Sequence, residues 1–481
     1  MLQEISYMIV IINNHIKKLL SIIVLGLLFS GNAHAEKSYL KNFNKFLSKN
    51  SKYLEEYPIK GLKHVNICKD EKKYSKKWYN AGCENRPGGV FQIKNTLDIN
   101  FYKDRNNIPW DKKPNYDTLL YYGFVSISDD SGFKKIGSKG SKVPYKFSFN
   151  LREDYDVKKE IQETGLLSYL LYENGKITID EITAKNRFGI IFNDNTRWTS
   201  NSMGKSIASY VVGHTICEGY IGGTDAKLND WSLIKNSLYH NQKILDLLNM
   251  AAGDQKYSKL GLTKGGKWSK NPNRNTIKFH MEKGIFKKTL DKKNKSKWNY
   301  SNIVSNILIS YASFKSGENF QNLLDKIFIS KAKLENPAGF KVMHTDTVQG
   351  NYKVDERNDG AIRYSFTASR YDYLRIAKAM LDDWQNDTCV GKYLKKLHKN
   401  KIPKNDQFKD NTSSWFNPKS YAGQFHTDYS GLKDRSIMGM DGASGQSIII
   451  DFDRSRIVVI NSIHQNYNWK KIAHSVIKNG K

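Results

Sequence analysis

The sequence predicts an α/β (α+β) protein in which a central antiparallel sheet is flanked by helices. Two stretches carry that expectation. "LLSYLLYENGKITIDEI", residues 166–182, reads as two strands about Asn174-Gly175, a strong hairpin signal. "GQSIIIDFDRSRIVVINSI", residues 445–463, reads as two apolar strands about a polar turn. Helical patterns lie between the pairs, so both ends of the domain feed one sheet. With 481 residues, 39% of them hydrophobic and 12% aromatic, the chain can build a large core and exceeds one ordinary domain.

Residues 1–35 read as an export signal. Lys17 and Lys18 precede the apolar run "LLSIIVLGLLF", and Ala33 and Ala35 supply the small-x-small pattern of a cleavage site. The run is short for a permanent bilayer span. A periplasmic or secreted chain starting at Glu36 is therefore expected, with no stable membrane span after cleavage. Residues 36–154 form an N-terminal extension of unassigned role, helical in "YLKNFNKFLSKNSKYLEEY" and then rich in turn formers. Residues 155–481 form the main domain.

That domain opens with a helical pattern in "EDYDVKKEIQETG", and the 166–182 hairpin follows as the first edge of the sheet. After Lys205, the residues Ile207, Tyr210, Val211, His214 and Cys217 recur at spacings of three and four, with Gly219 and Gly222 closing the run. A buried helix is expected there, with His214 and Cys217 as packing residues. The middle third reads as helices and loops. "NWKKIAHSVIK" forms a last amphipathic helix.

The formal net charge is +30, which invites a nucleic-acid reading. Only 13 of the 77 cations are Arg, the residue favoured for base readout and bidentate phosphate contacts. The lysines are scattered, so no nucleic-acid partner is expected. Cys68, Cys83, Cys217 and Cys389 are an even set for an oxidising compartment. Cys68 with Cys83 is the expected pair, and Cys217 and Cys389 are either a second disulfide or unpaired core thiols. Neither Cys-x-x-Cys nor His-Glu-x-x-His spacing occurs, so no metal and no cofactor are expected.

"SNSMGKSIAS", residues 200–209, carries the chemistry. Gly204-Lys205-Ser206 looks like the tail of a phosphate-binding loop, but Thr199 stands where that motif needs its first glycine. Ser202 and Lys205 read instead as Ser-x-x-Lys. The same spacing recurs at Ser38/Lys41, Ser330/Lys333, Ser430/Lys433 and Ser475/Lys478. What distinguishes Ser202 is its place at the start of a buried helix, where residues i and i+3 share a face and the helix end favours an oxyanion. For Lys205 to act as a base its pKa must fall from about 10.4 towards neutrality, a differential of roughly 4 kcal/mol. Burial can supply that. Tyr300-Ser301-Asn302 offers a phenol and an amide before a helical pattern; Tyr172/Asn174 and Tyr239/Asn241 share its spacing.

In this order and spacing, Ser202/Lys205, "KILDLLNMAAGD", "NYSN" and "GASGQSIIIDFDRSRIVVI" resemble the class C β-lactamase-like serine hydrolases over residues 155–478. That superfamily includes class C β-lactamases, penicillin-recognising DD-peptidases, related esterases and 6-aminohexanoate-dimer hydrolases. The resemblance implies a β-lactamase/transpeptidase-like fold. It implies Ser202 as the acylated nucleophile, Lys205 and Tyr300 sharing base and acid work, and Asn302 contacting Lys205 or the substrate. Backbone N–H groups of Ser202 and Gln446, the residue after Gly445, would hold the oxyanion. One departure matters. Ala443 stands where penicillin-recognising relatives place a Lys or His, which argues against β-lactams and for a small-molecule ester or amide substrate. Asp441 and His464 are read as capping or buried residues before cleft residues. A penicillin-binding cell-wall enzyme and a catalytically silent binding module are the alternatives.

Overall fold

The computed structural model describes residues 64–66, 91–93 and 134–479, except 186–188, 190–191, 256–276, 283–295, 343–359, 405–417, 430, 433, 443–444 and 463–469. The expected export signal, the Cys68/Cys83 pair, Ala443 and His464 lie outside the described residues. The chain divides into two compact units, Met1–Asn107 with Asp130–Gly132, and Ile108–Asp129 with Phe133–Lys481. In the first, β1 (His64–Asn66) and β2 (Phe91–Ile93) form an antiparallel pair.

In the second unit the described strands are β3 (Lys134–Ser138), β4 (Ser148–Phe149), β5 (Leu166–Glu173), β6 (Lys176–Ile182), β7 (Trp198–Thr199), β8 (Ala338–Val342), β9 (Ile362–Ala368), β10 (Ile402–Pro403), β11 (Ser420–Ala422), β12 (Phe425–Thr427), β13 (Ile437–Gly442), β14 (Gln446–Asp451) and β15 (Arg456–Ser462). They make a nine-stranded sheet ordered β10-β11-β12-β13-β14-β15-β5-β6-β4 and a four-stranded sheet ordered β3-β8-β9-β7.

The two expected strand pairs meet at the centre of the large sheet, where β15 pairs antiparallel with β5. Asn174 and Gly175 take the positive φ values of a tight hairpin turn, 51° and 82°, which Asn and Gly tolerate best. Every residue of β5, β14 and β15 is buried, the pattern of strands covered on both faces. One face carries α1 (Tyr155–Glu163) and the carboxyl-terminal helix Lys470–Asn479: Val157, Ile161, Ile472 and Val476 pack with Leu171, Ile449 and Val458. Asp154 caps α1 by accepting from the Val157 N–H at 3.0 Å. Burying each such aliphatic side chain contributes roughly 1.5–3 kcal/mol before the entropy of ordering it.

The other face carries α2 (Gly204–Cys217), α3 (Asn302–Ser316), α4 (Arg370–Gln385) and α5 (Cys389–Lys399), with α4 packed on β5, β14 and β15. Arg370, at the start of α4, is buried between the Asp180 and Asp194 carboxylates and the Ser168 hydroxyl. Cys217 at the end of α2 is disulfide-bonded to Cys389 at the start of α5, so of the two readings open for this pair the disulfide holds.

Residues before 155 also supply strands to both sheets, β3 pairing with β8 and β4 with β6. Edge strands need hydrogen-bonding partners, and these two short segments supply them. The β4–β6 pairing is parallel, so the large sheet is mixed, with the 166–182 hairpin one strand in from that edge. The middle third, read as helices and loops, contributes β8 and β9 to the second sheet.

Candidate active site

The second sheet meets the start of α2, and that junction builds the site. Ser200 latches the chain to β9 twice: its N–H donates to the Phe366 carbonyl at 2.7 Å, and its Oγ accepts from the Phe366 N–H at 2.8 Å. Asn201 then takes a left-handed backbone, φ 49°, which Asn tolerates better than bulky residues. The chain turns through the 3₁₀ segment Asn201–Met203 into α2, leaving Ser202 half-buried at the helix amino end. One turn on, Lys205 is buried at 1% exposure, and its Nζ lies 2.9 Å from Ser202 Oγ. Burial, and then the Arg363 charge, hold this amine well below the ordinary lysine range.

Tyr300 is delivered by a loop whose neighbours are pinned. Asp254, fully buried, accepts hydrogen bonds from Asn299 Nδ2 at 3.1 Å, Ser301 Oγ at 2.7 Å and Tyr239 Oη at 2.9 Å. Residues 299 and 301 are thus held on one side of the chain, and Tyr300 between them faces the cluster. Its ring centroid is 4.7 Å from Lys205 Nζ, and its phenol is hydrogen-bonded to Ser202. Burial pushes the Tyr300 phenol above its ordinary range, so it stays protonated while the lysine is pushed towards neutrality. Opposed shifts of this kind separate an acid from a base.

The sequence did not single out Tyr364, on β9. Its ring centroid lies 3.5 Å from Lys205 Nζ, its phenol is also hydrogen-bonded to Ser202, and its Oη donates to Asn302 Oδ1 at 3.0 Å. Asn306, one turn further along α3, accepts from the Tyr364 backbone N–H at 3.1 Å. Residues 302 and 306 share a helix face, so α3 clamps both ends of one tyrosine. Asn302, expected against Lys205 or substrate, reaches the lysine through this phenol. An Arg-Tyr pair inside the alternating stretch "IRYSFTA" gives no spacing signal towards Ser202.

The opposite wall comes from β10–β13. His426 Nδ1 lies 3.1 Å from Lys404 Nζ, and His426 Nε2 lies 4.0 Å from an Asp441 carboxylate oxygen. Asp441 also accepts from Ser447 Oγ at 2.8 Å. Burial, Lys404 and Lys205 hold His426 well below the ordinary histidine range, so it is neutral here. Burial brings Lys404 down to about 8, with Asp441 opposing. Gly442, at the end of β13, abuts the Ser200–Ser202 turn so closely that a Cβ there would lie 2.1 Å from the Ser200 carbonyl oxygen. Gly445 has φ 77°, and Gln446 faces Gly442 in register across the hairpin. The Gln446 side chain points away from the cluster: it donates to the Ser462 carbonyl, and Asn461 donates to it at 2.8 Å.

Ser202, Lys205, Tyr300 and Asn302 therefore lie together, with Tyr364 added and the 442–446 hairpin end beside them. No group of His, Cys, Asp or Glu among the described residues is arranged to hold a metal ion, and no helix among them is long and apolar enough to cross a membrane.

No protein-family model matches the chain, and no curated protein matches it. Solved structures do. The putative 6-aminohexanoate-dimer hydrolase from Bacillus anthracis superposes with a TM-score of 0.51 at 12% identity, over 77% of this chain and 95% of that one. The octameric penicillin-binding protein homologue from Pyrococcus abyssi gives a TM-score of 0.49 at 14% identity, over 68% and 76%. The penicillin binding protein from Bacillus halodurans gives 0.48 at 15%, over 66% and 98%. The strand order, the helices on both faces and the likeness to the first of these structures together show that this chain has the β-lactamase/transpeptidase-like fold.

Proposed function

We propose that this chain is an exported serine hydrolase that cleaves an ester or amide through an acyl-enzyme on Ser202. One observation carries the reading: the 2.9 Å contact between Lys205 Nζ and Ser202 Oγ, made by a buried amine held well below its ordinary pKa. A neutral amine at that distance accepts the serine proton as Oγ attacks the substrate carbonyl carbon. The Ser202 N–H holds the oxyanion, with a second donor from the 442–446 hairpin end that the sequence assigns to Gln446. As the tetrahedral intermediate collapses, the Tyr300 phenol gives its proton to the leaving oxygen or nitrogen, and the Lys205 ammonium restores it. Water, deprotonated by the same pair, then releases the acid and frees Ser202.

The amide side of this reading draws support from the 6-aminohexanoate-dimer hydrolase likeness, and Ala443 disfavours β-lactams. The Cys217–Cys389 disulfide fits an oxidising compartment, in keeping with residues 1–35 as an export signal. The test is covalent labelling by a fluorophosphonate, with loss of label in Ser202→Ala. Label retained by that variant sinks the assignment. Labelling by a fluorescent penicillin would favour the cell-wall enzyme, and folded protein silent to both probes would favour a binding module.

A further inference from the structure

The buried amine of Lys205 lies against aromatic faces and not beside a carboxylate. Its Nζ is 3.5 Å from the Tyr364 ring centroid and 4.7 Å from that of Tyr300. Among the described residues it makes one hydrogen bond, to Ser202 Oγ, and the charge that bears on it is the Arg363 guanidinium, which opposes protonation. β9 thus brings Arg363 and Tyr364 to the amine, the loop before α3 brings Tyr300, and β12 brings His426, which Lys205 helps to hold neutral. α3 adds the neutral amides of Asn302 and Asn306, which hold Tyr364. Asp441 of β13 bears on Tyr300 and on Lys404. Tyr393 of α5 meets α2 one turn on, at Ser209, while Asp383, Lys326 and Lys331 bear on His214, more than two turns on. Once the amine takes the Ser202 proton it is a cation at 1% exposure, and a charge so buried needs a source of stabilisation.

We propose that Tyr364 is a positioning residue whose ring face seats the Lys205 ammonium formed when Ser202 gives up its proton, and so sets the pH at which Ser202 becomes reactive. This assignment rests on the hydrolase reading and deepens it by naming what holds the charge. As the Ser202 O–H bond breaks, the proton and its positive charge pass to Nζ, and the Oγ electron pair forms the bond to the substrate carbonyl carbon. The ring takes no proton and forms no bond. Its face carries the negative part of the aromatic quadrupole, and a desolvated cation over such a face is stabilised where water cannot do so. The ring is held for this role. Its Oη donates to Asn302 Oδ1 at 3.0 Å, and the Tyr364 backbone N–H donates to Asn306 Oδ1 at 3.1 Å, so the face stays turned to the amine. Burial and Arg363 push the amine down, and the ring works against them. The balance gives a base that is neutral before the reaction and can still carry charge during it.

The decisive comparison weakens the face while keeping its shape. Tyr364→Phe is set against the same variant carrying a trifluorinated ring, which withdraws π-electron density at nearly constant volume, so both should fold alike. Lys205 is read first and without turnover, from the chemical shift of its isotope-labelled ε-carbon against pH in the full chain, with Lys205→Met identifying the signal. A weaker face destabilises the ammonium, so the amine loses its proton at lower pH. The fluorinated ring should therefore lower the Lys205 midpoint by about one pH unit relative to Tyr364→Phe, the equivalent of a desolvated cation–π contact. Equal midpoints in the two variants, or a shift to higher pH, would overturn the proposal. Reactivity is read second, as the rate of fluorophosphonate labelling against pH. Its rising limb should move down with the Lys205 midpoint, and a limb that stays in place while the midpoint moves would also overturn the proposal. A Lys205 titration that follows the ring, with no labelling even of the wild type, sinks the hydrolase reading and leaves the ammonium seat standing. Labelling at Ser202 with a midpoint indifferent to the ring sinks the seat alone.

Discussion

Gly204 lies between Ser202 and Lys205, the proposed nucleophile and base, and replacing it with alanine tests the packing on which the site depends. By helix propensity alone, Gly204→Ala in the first turn of α2 should stabilise the protein by about 0.5–1 kcal/mol. The structure predicts the opposite. A Cβ at 204 would lie 2.2 Å from the Tyr364 carbonyl oxygen, 2.5 Å from Ser200 Oγ and 2.9 Å from the Phe366 nitrogen. The first of these is roughly 1 Å inside ordinary contact, and two of the three atoms are backbone of β9. Overpacking of this kind costs about 1–3 kcal/mol, so the net effect should be a loss of about 1–2 kcal/mol. Relief requires β9 and the Ser202 turn to part, which breaks the Ser200–Phe366 latch and moves Tyr364 relative to Lys205. A misplacement near 1 Å costs on the order of 100-fold in a positioned reaction. Urea unfolding gives the stability, and the second-order rate of fluorophosphonate labelling gives the reactivity. A variant at least as stable as wild type that labels at the full rate would refute the claim that close approach of α2 to β9 sets the geometry.

Four further outcomes follow, three of them from the same site. Labelling should rise with pH through the depressed Lys205 titration and reach its plateau well below the ordinary lysine range; Lys205→Met should lose about 100-fold or more, and a wild-type profile still climbing towards pH 10 would contradict the assignment. The stability sign is also set: between the lowered folded value and the unfolded value the unfolded chain binds more protons, so stability rises with pH across that window, a slope that urea titrations of Lys205→Met should show reduced. Tyr300→Phe should cut ester kcat by about 100-fold or more, whereas Tyr364→Phe, losing a hydrogen bond to Asn302, should cost about 3- to 10-fold; the reverse ranking would make Tyr364 the acid. Replacing Cys217 and Cys389 together by serine should lower the unfolding free energy by about 2–4 kcal/mol under oxidising conditions, and an unchanged midpoint would show that the α2–α5 link is dispensable.

What the sequence made legible was local. The Asn174-Gly175 hairpin, the helix after Ser202 and the paired strands at 446–462 each depend on periodicity or turn chemistry within a short window, and each stands where expected. Ser202, Lys205 and Tyr300 were separated from their lookalikes by helix position and order alone. The second sheet was not legible, because β8 and β9 face different neighbours on their two sides, which leaves Lys341, Arg363 and Tyr364 looking like scattered surface residues. β4, only two residues long, carries no signal at all until β6 offers it an edge.

Asp254 shows how the legible and illegible parts are joined. It lies within "KILDLLNMAAGD", a stretch that looked family-like without suggesting a task for any one residue. A carboxylate buried this deeply is costly, and burial raises its pKa against the three hydrogen bonds that oppose the shift. Such a group persists where its partners need a fixed point. Two of those partners, Asn299 and Ser301, bracket Tyr300, so the cost is incurred next to the phenol and not elsewhere in the core. Gln424 does comparable work behind the nucleophile: its carbonyl accepts from Ser206 Oγ at 2.6 Å, its Oε1 accepts from Ser305 Oγ at 2.7 Å, and its amide donates to Leu248 O at 2.8 Å. Helices α2 and α3 are thereby fixed to each other through one residue, α2 by its backbone carbonyl and α3 by its side chain. Buried polar residues that nothing in the local pattern explains are here the ones that convert three separate motifs into a single cluster.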